Sequence, residues 1–190
     1  TRPMTYTREA AMVLEVMQSL AAIRPGLRLR LYDRRPGDDM AFLNPFQDAG
    51  ITVEWRKSSR YSDYSASFDD VAIGLAPLCL DTPFSRGKSF GKVLAYLDAR
   101  VPVIGSAVGE HESFFTPETG VITNDLDRWV SEADRLLGDA VARTAQAEAA
   151  HDAFRRQLSV EAAAQSVGRA LRSVLADSAM QPVTGSLASA

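Results

Sequence analysis

The stretch Asp69-Asp70-Val71-Ala72-Ile73-Gly74-Leu75-Ala76-Pro77-Leu78, followed by Phe84-Ser85-Arg86-Gly87-Lys88-Ser89-Phe90-Gly91-Lys92-Val93-Leu94-Ala95-Tyr96-Leu97 and Val101-Pro102-Val103-Ile104-Gly105-Ser106, decides the fold. Residues 71–75 are a short apolar run, the pattern of a strand buried on both faces, and Ala76-Pro77 ends it. From Phe90 the apolar residues fall at Phe90, Val93, Leu94 and Leu97, the spacing of a helix with one buried face. Ser89 is placed to cap that helix, since its hydroxyl can accept an orphan amide of the first turn. Residues 101–104 form a second apolar run. A strand, a helix and a strand at this spacing make a right-handed crossover between parallel neighbours. The loop between them carries Arg86, Gly87 and Lys88 directly into a helix N-terminus, where free amides and the helix dipole favour an anion such as phosphate.

The same alternation extends outward. Thr7 can cap a helix running to about residue 23, with Val13, Val16, Met17, Leu20 and Ile23 as its stripe and Pro25-Gly26 as its stop. Leu27, Leu29 and Leu31 alternate with Arg28 and Arg30, a strand near the sheet edge with one more polar face. Residues 40–49 read as a short helix or an irregular loop, 51–55 as a strand, and 61–68 as a short helix. Beyond Ser106 come a loop over 107–112, a turn over 116–120 and a short strand at Val121-Ile122. Asn124 then caps a helix with the stripe Leu126, Trp129, Val130, Ala133, Leu136 and Leu137, closed by Gly138. Residues 139–158 are an Ala-rich helix. Ser159 caps a last one bearing Val160, Ala164, Val167, Leu171, Val174 and Leu175. Residues 1–177 therefore read as a single α/β domain with a Rossmann-like, doubly wound parallel sheet, and 178–190 as a disordered tail or linker. Ligands of such sheets bind beyond the carboxyl ends of the strands, and the 86–89 loop follows one such end.

The chain has 190 residues, 46% hydrophobic and 24% charged, enough for one domain with a full core. A net charge of -3 argues against a general nucleic-acid surface. The single cysteine, Cys79, excludes an intrachain disulfide and a multi-cysteine metal site, and fits a reducing, cytoplasmic compartment. Two histidines, His111 and His151, do not make a metal cluster, so no metal is expected. No apolar run is long enough to span a membrane. Gly87-Lys88-Ser89 looks like the end of a P-loop, but Thr82 stands where that motif needs its first glycine. Asp38-Asp39 and Asp69-Asp70 read as turn and cap residues, and His151 as an exposed helical residue. Arg86 and Lys88 are the main candidate anion ligands. His111, on a loop at the strand-end face, and Arg56, opening the polar loop after Trp55, are secondary ones.

Together, residues 74–78, Arg86-Gly87-Lys88-Ser89 and the run from Val93 to Ser106 resemble the C-terminal, donor-binding half of GT-B-type glycosyltransferases of the group 1 kind. The most specific piece is Val101-Pro102-Val103-Ile104 followed by Ser106 and Gly109. Thr119-Gly120-Val121 is similar to the family's closing turn and strand, and Pro25-Gly26-Leu27-Arg28-Leu29 to its entry into a strand. The resemblance covers residues 1–138. It implies two Rossmann-like domains facing each other across a cleft, the C-terminal one holding a nucleotide-diphosphate sugar such as a UDP-sugar. Hexosyl transfer in glycan or polysaccharide biosynthesis follows. It implies phosphate contacts from Arg86, Gly87, Lys88, Ser89 and Lys92, and base or sugar contacts from Trp55, Arg56 and His111, with no cofactor and no metal. Catalytic residues stay unassigned. The acceptor-binding N-terminal domain is missing from this sequence. Any peripheral membrane association would run through that half, and the fragment alone is expected to be inactive. Many members carry glutamates at the positions matching Gly87 and Ala95, the second often holding the ribose; this chain has neither. Members with an Arg-Gly-Lys-Ser-type segment also lack the first, and Lys92 matches a lysine seen in them. The alternative is a non-catalytic Rossmann-like nucleotide-binding or interaction module.

Overall fold

A computed structural model describes residues 7–33, 41–57, 60–79, 83–88 and 91–180. Helix α1 (Thr7–Ile23) buries Val13, Val16, Met17 and Leu20 on one face, as its stripe predicts, whereas Ile23, the last residue of that stripe, is exposed at the helix end. Gly26, at φ +88°, turns the chain into strand β1 (Arg28–Asp33), a conformation that costs glycine little. Residues 41–48 resolve into a 3-10 turn (Ala41–Leu43) and a short helix, α2 (Asn44–Asp48), which buries Phe46. Strand β2 (Thr52–Lys57) pairs parallel with β1, placing Leu31 beside Trp55. Helix α3 (Tyr61–Ala66), strand β3 (Gly74–Ala76), helices α4 (Pro83–Arg86) and α5 (Gly91–Asp98) and strand β4 (Val103–Gly105) follow. Then come α6 (Glu110–Phe114), β5 (Val121–Ile122), α7 (Leu126–Gly138), α8 (Ala140–Gln157) and α9 (Val160–Met180).

Among the described residues the strand pairs are parallel, as the alternation of strands and helices predicts, but they form two ladders, β1-β2 and β3-β4-β5. The third strand begins at Gly74 rather than at Val71. Val71 N–H is committed to the preceding turn at Phe68 O (2.9 Å), and the first cross-strand bond is Gly74 N–H to Pro102 O (2.9 Å). Proline has no N–H to add a rung, so β4 starts after Pro102.

The chain divides into two compact units, Thr1–Asp152 and Ala153–Ala190. In the second, Ser159 Oγ accepts Ala162 N–H (3.1 Å), the predicted cap, and Val160, Val167, Leu171, Val174 and Leu175 are exposed along α9. Residues 181–190, most of the expected tail, lie outside the described residues.

In the first unit α1 and α7 pack together. Val16, Met17 and Leu20 join Leu29, Ile104, Val121, Trp129, Ala133 and Leu136 in one core, and Arg24 at the end of α1 pairs with Asp134 of α7. Helix α7 is capped by Asp125, whose carboxylate accepts Asp127 N–H (3.0 Å), and not by Asn124. Asn124 instead brackets Ala107, accepting from its N–H (3.0 Å) and donating to its carbonyl (3.1 Å). At the other end Gly138 is the last helical residue, and the chain leaves extended at Asp139. The Asp139 carboxylate accepts Ala142 N–H (2.9 Å) to start α8. His151, expected to be exposed, is half-buried and donates Nδ1–H to Leu97 O (2.9 Å).

A second cluster joins Phe68, Ala95 and Val101 with Tyr32, Tyr64 and Tyr96. Tyr32 and Tyr64 meet edge to face at 4.7 Å between centroids, a favoured aromatic geometry. The Tyr96 ring occupies the space beside Gly74, where a Cβ would come within 2.6 Å of Tyr96 Cγ. Gly74→Ala should therefore overpack this cluster and cost about 1–3 kcal/mol. Gly87→Ala, whose Cβ would meet only Pro83 O at 3.5 Å, should cost far less. The difference between their urea midpoints measures the effect.

Arg30 explains the polar face of β1. Its guanidinium donates to both Asp70 carboxylate oxygens (2.7 and 2.8 Å), to Glu54 Oε2 (2.8 Å) and to Ser67 O (2.8 Å). The hydrogen bonds from Arg30 hold the Asp70 carboxyl at about 2, against an ordinary 3.8, and keep the guanidinium charged. A depressed folded-state pKa gives stability that is present above pH 3.8 and is lost as pH falls toward 2. Asp70→Asn should flatten the melting temperature between pH 4 and pH 2, which parallel thermal melts would reveal.

Candidate functional site

The basic loop is built as a continuation of α4. Gly87 N–H donates to Pro83 O (3.1 Å) and Lys88 N–H to Ser85 O (3.3 Å), so Arg86 is the last helical residue and Gly87 and Lys88 leave as a turn; the segment that the sequence presented as a loop contains this helical turn. Ser89, the predicted cap and phosphate ligand, lies outside the described residues, as does Phe90. Helix α5 then presents Lys92.

Lys88 and Lys92 line one cavity of about 780 Å³, and His111 lines it too. The half-buried Lys88 ammonium is held at about 8, chiefly by loss of hydration and then by repulsion from Lys92. Lys92 is also lowered by desolvation, with Glu9 pulling the other way. Glu9, only 6% exposed on the first turn of α1, accepts Ser85 Oγ–H (3.0 Å) and Cys79 N–H (3.4 Å). A buried carboxylate thus anchors the start of the loop at Ser85 and attracts Lys92. Nothing in the sequence singled Glu9 out, because an acid in a first helical turn is already accounted for by the helix dipole.

The loop after β4 closes against the same place. Leu78 N–H donates to Ser106 Oγ (2.9 Å), joining the segments that follow β3 and β4. Gly109 adopts φ +55°, and a Cβ there would meet Arg86 O at 3.3 Å. His111 is not on a loop, as the sequence suggested, but in α6, which starts directly after Gly109. The ring is 4% exposed and Nδ1–H donates to Ser106 O (2.9 Å). Burial lowers its pKa, so the imidazole is neutral near pH 7, with Nε2 the acceptor nitrogen.

The other candidates lie elsewhere. Arg86, at the end of α4, and Gly87, on the turn after it, are exposed, and neither lines the cavity. Trp55 and Arg56 sit on β2, outside its lining; Arg56 pairs with Glu54, while Trp55 Nε1 is enclosed with no hydrogen-bond partner among the described residues. Ala95 is 0% exposed, its methyl packed in the cluster of Phe68 and Val101. Among the described residues no group of three His, Cys, Asp or Glu could hold a metal ion, and no helix is long and apolar enough to cross a membrane.

No protein-family model matches the sequence, and no curated protein matches it. Solved structures do. The C-terminal domain of a glycosyl transferase group 1 family protein from Francisella tularensis superposes with a TM-score of 0.61 at 13% identity, over 84% of this chain and 83% of that one. Anabaena HepE, solved with UDP and glucose, gives 0.63 at 13% identity, over 86% of this chain and 44% of that one. S. aureus TarM, solved in a complex that includes UDP, gives 0.61 at 11% identity, over 80% of this chain and 30% of that one. The chain thus spans less than half of the latter two and most of the isolated domain. Parallel strands, interleaved helices and these superpositions agree: the chain has the Rossmann-like fold of a GT-B glycosyltransferase half-domain.

Proposed function

We propose that this chain is the donor-side half of a glycosyltransferase and takes a nucleotide-diphosphate sugar, with UDP the first nucleotide to test. The observation that carries the reading is that Lys88 and Lys92, close enough to repel each other, line the same cavity as His111, in segments that follow β3 and β4. When the bond from the anomeric carbon to the β-phosphate oxygen breaks, that oxygen keeps the electron pair and the nucleoside diphosphate gains negative charge. The half-buried Lys88 ammonium, with the exposed Lys92 beside it, opposes that charge more strongly than a fully hydrated cation would, a form of electrostatic catalysis. Arg86, exposed at the end of α4, would add to it only where the donor reaches outside the cavity, and the neutral His111 would accept a hydrogen bond from a sugar hydroxyl through Nε2. Trp55 and Arg56 would serve the base only if the donor extends beyond the cavity to β2. The acceptor, its N-terminal domain, a cytoplasmic location and a role in glycan synthesis belong to the same proposal.

Calorimetric titration with UDP, GDP and TDP tests it, and no heat from any of the three at millimolar concentration would overturn it. A second reading, a non-catalytic module, is favoured by Ala95: a buried methyl cannot hydrogen-bond a ribose. Diphosphate binding without donor hydrolysis or transfer in the full-length protein would select that reading.

A further inference from the structure

Glu9, in the first turn of α1, holds the segment after β3 at two points. Ser85 Oγ–H donates to Oε1 from α4 (3.0 Å), and Cys79 N–H donates to the same oxygen from just beyond the strand (3.4 Å). Helix α4 has four residues, too few to stand by its own hydrogen bonds, so tertiary contacts set its place. Ser85 is its buried residue, while Pro83 and Arg86 are exposed. The bond from Ser85 therefore ties this short helix to α1, whose 17 residues are packed into the core. Lys88 follows within one turn, its N–H donating to Ser85 O.

The choice of cations points the same way. Among the 21 Lys and Arg residues the lysines are Lys57, Lys88 and Lys92, and the last two line the cavity that Glu9 also lines. Arginine stays charged in any setting, whereas the charge of a lysine responds to the groups around it. Loss of hydration opposes the charge on both lysines, repulsion from Lys92 opposes it at Lys88, and Glu9 favours it at Lys92. The charged and titratable groups around Glu9 are Arg8 beside it on α1, Cys79 after β3, Lys92 of α5 and, through Lys92, Lys88.

We infer that Glu9 is a positioning residue of the basic site: it fixes the turn that delivers Lys88, and it supplies Lys92 with a counter-charge until a phosphate replaces it. The ligand rests on the nucleotide reading; the contacts of Glu9 do not. The two roles act in opposite directions on affinity. The hydrogen bonds order the site, while the carboxylate charge competes with an incoming anion.

Glu9→Gln and Glu9→Ala separate these roles, since glutamine keeps an acceptor oxygen for Ser85 and Cys79 and loses the charge. Without ligand, Glu9→Ala should speed hydrogen exchange at the Gly87 and Lys88 amides by about tenfold or more, and Glu9→Gln should leave it close to the parent. Carbon-13 methylation of the lysines gives one signal set for each, and Lys92→Arg identifies that of Lys92. Glu9→Gln should move the Lys92 titration to lower pH, because the charge that favours the ammonium is gone. A purely structural contact would leave it in place. With UDP at pH 7, Glu9→Ala should weaken binding about tenfold and leave uridine unchanged, whereas Glu9→Gln should bind UDP at least as tightly as the parent. Unchanged exchange in the alanine variant, or an unmoved Lys92 titration in the glutamine variant, would overturn the inference. If the alanine variant does not fold, the glutamine variant decides alone. Failure of the parent to bind UDP would overturn the nucleotide reading, and the two measurements made without ligand would still decide the role of Glu9.

Discussion

Replacing Trp129 by alanine is expected to cost about 3–5 kcal/mol of folding stability, the range for truncating a buried tryptophan. Trp129 is 1% exposed at the seam of α1 and α7, among Val16, Leu20 and Leu136. Its indole N–H donates to Thr123 O (2.8 Å), and Thr123 N–H in turn donates to Gly105 O (2.9 Å) at the end of β4. The side chain therefore fills the core and ties α7 to the strands. Trp129→Phe keeps most of the volume and leaves one carbonyl unpaired, a loss of about 1–3 kcal/mol. Urea denaturation followed by far-ultraviolet circular dichroism separates the two. An alanine variant within 1 kcal/mol of the parent would remove Trp129 from the core seam.

Lys88→Ala should weaken a nucleoside diphosphate by roughly ten- to a hundredfold, the worth of one charge-assisted contact, and leave the nucleoside nearly unchanged. The sign of the pH dependence follows from the lowered pKa. At about 8, Lys88 is protonated at neutral pH and loses its charge as pH rises, so diphosphate affinity should fall above pH 8. A bound anion favours the protonated form, which moves the fall upward without reversing it. Lys88→Arg should keep binding and abolish the fall, because guanidinium stays charged throughout. Titrations of diphosphate and nucleoside at pH 7 and pH 9 read all of this. Equal weakening of both ligands by Lys88→Ala would take Lys88 out of the phosphate site.

Wherever one chain segment sufficed, the sequence was enough. The main stripe of α1, the Trp129 stripe of α7 and the Ser159 cap each depend on residues a few positions apart, where period and propensity decide. The parallel α/β class followed from the order of these pieces. Tertiary structure decided the rest, because the partners are remote in sequence. Asn124 and Asp125 are both good caps, and the choice fell to Asp125 because Ala107 engages Asn124. Glu9 is an ordinary first-turn acid until Ser85, 76 residues away, is brought to its carboxylate. His111 changed from a loop residue to a buried neutral donor when Ser106 O came within 2.9 Å. The break between β1 and β3 was likewise hidden: an apolar run declares a strand, but only the neighbour whose N–H and C=O groups it meets declares where in the sheet that strand belongs.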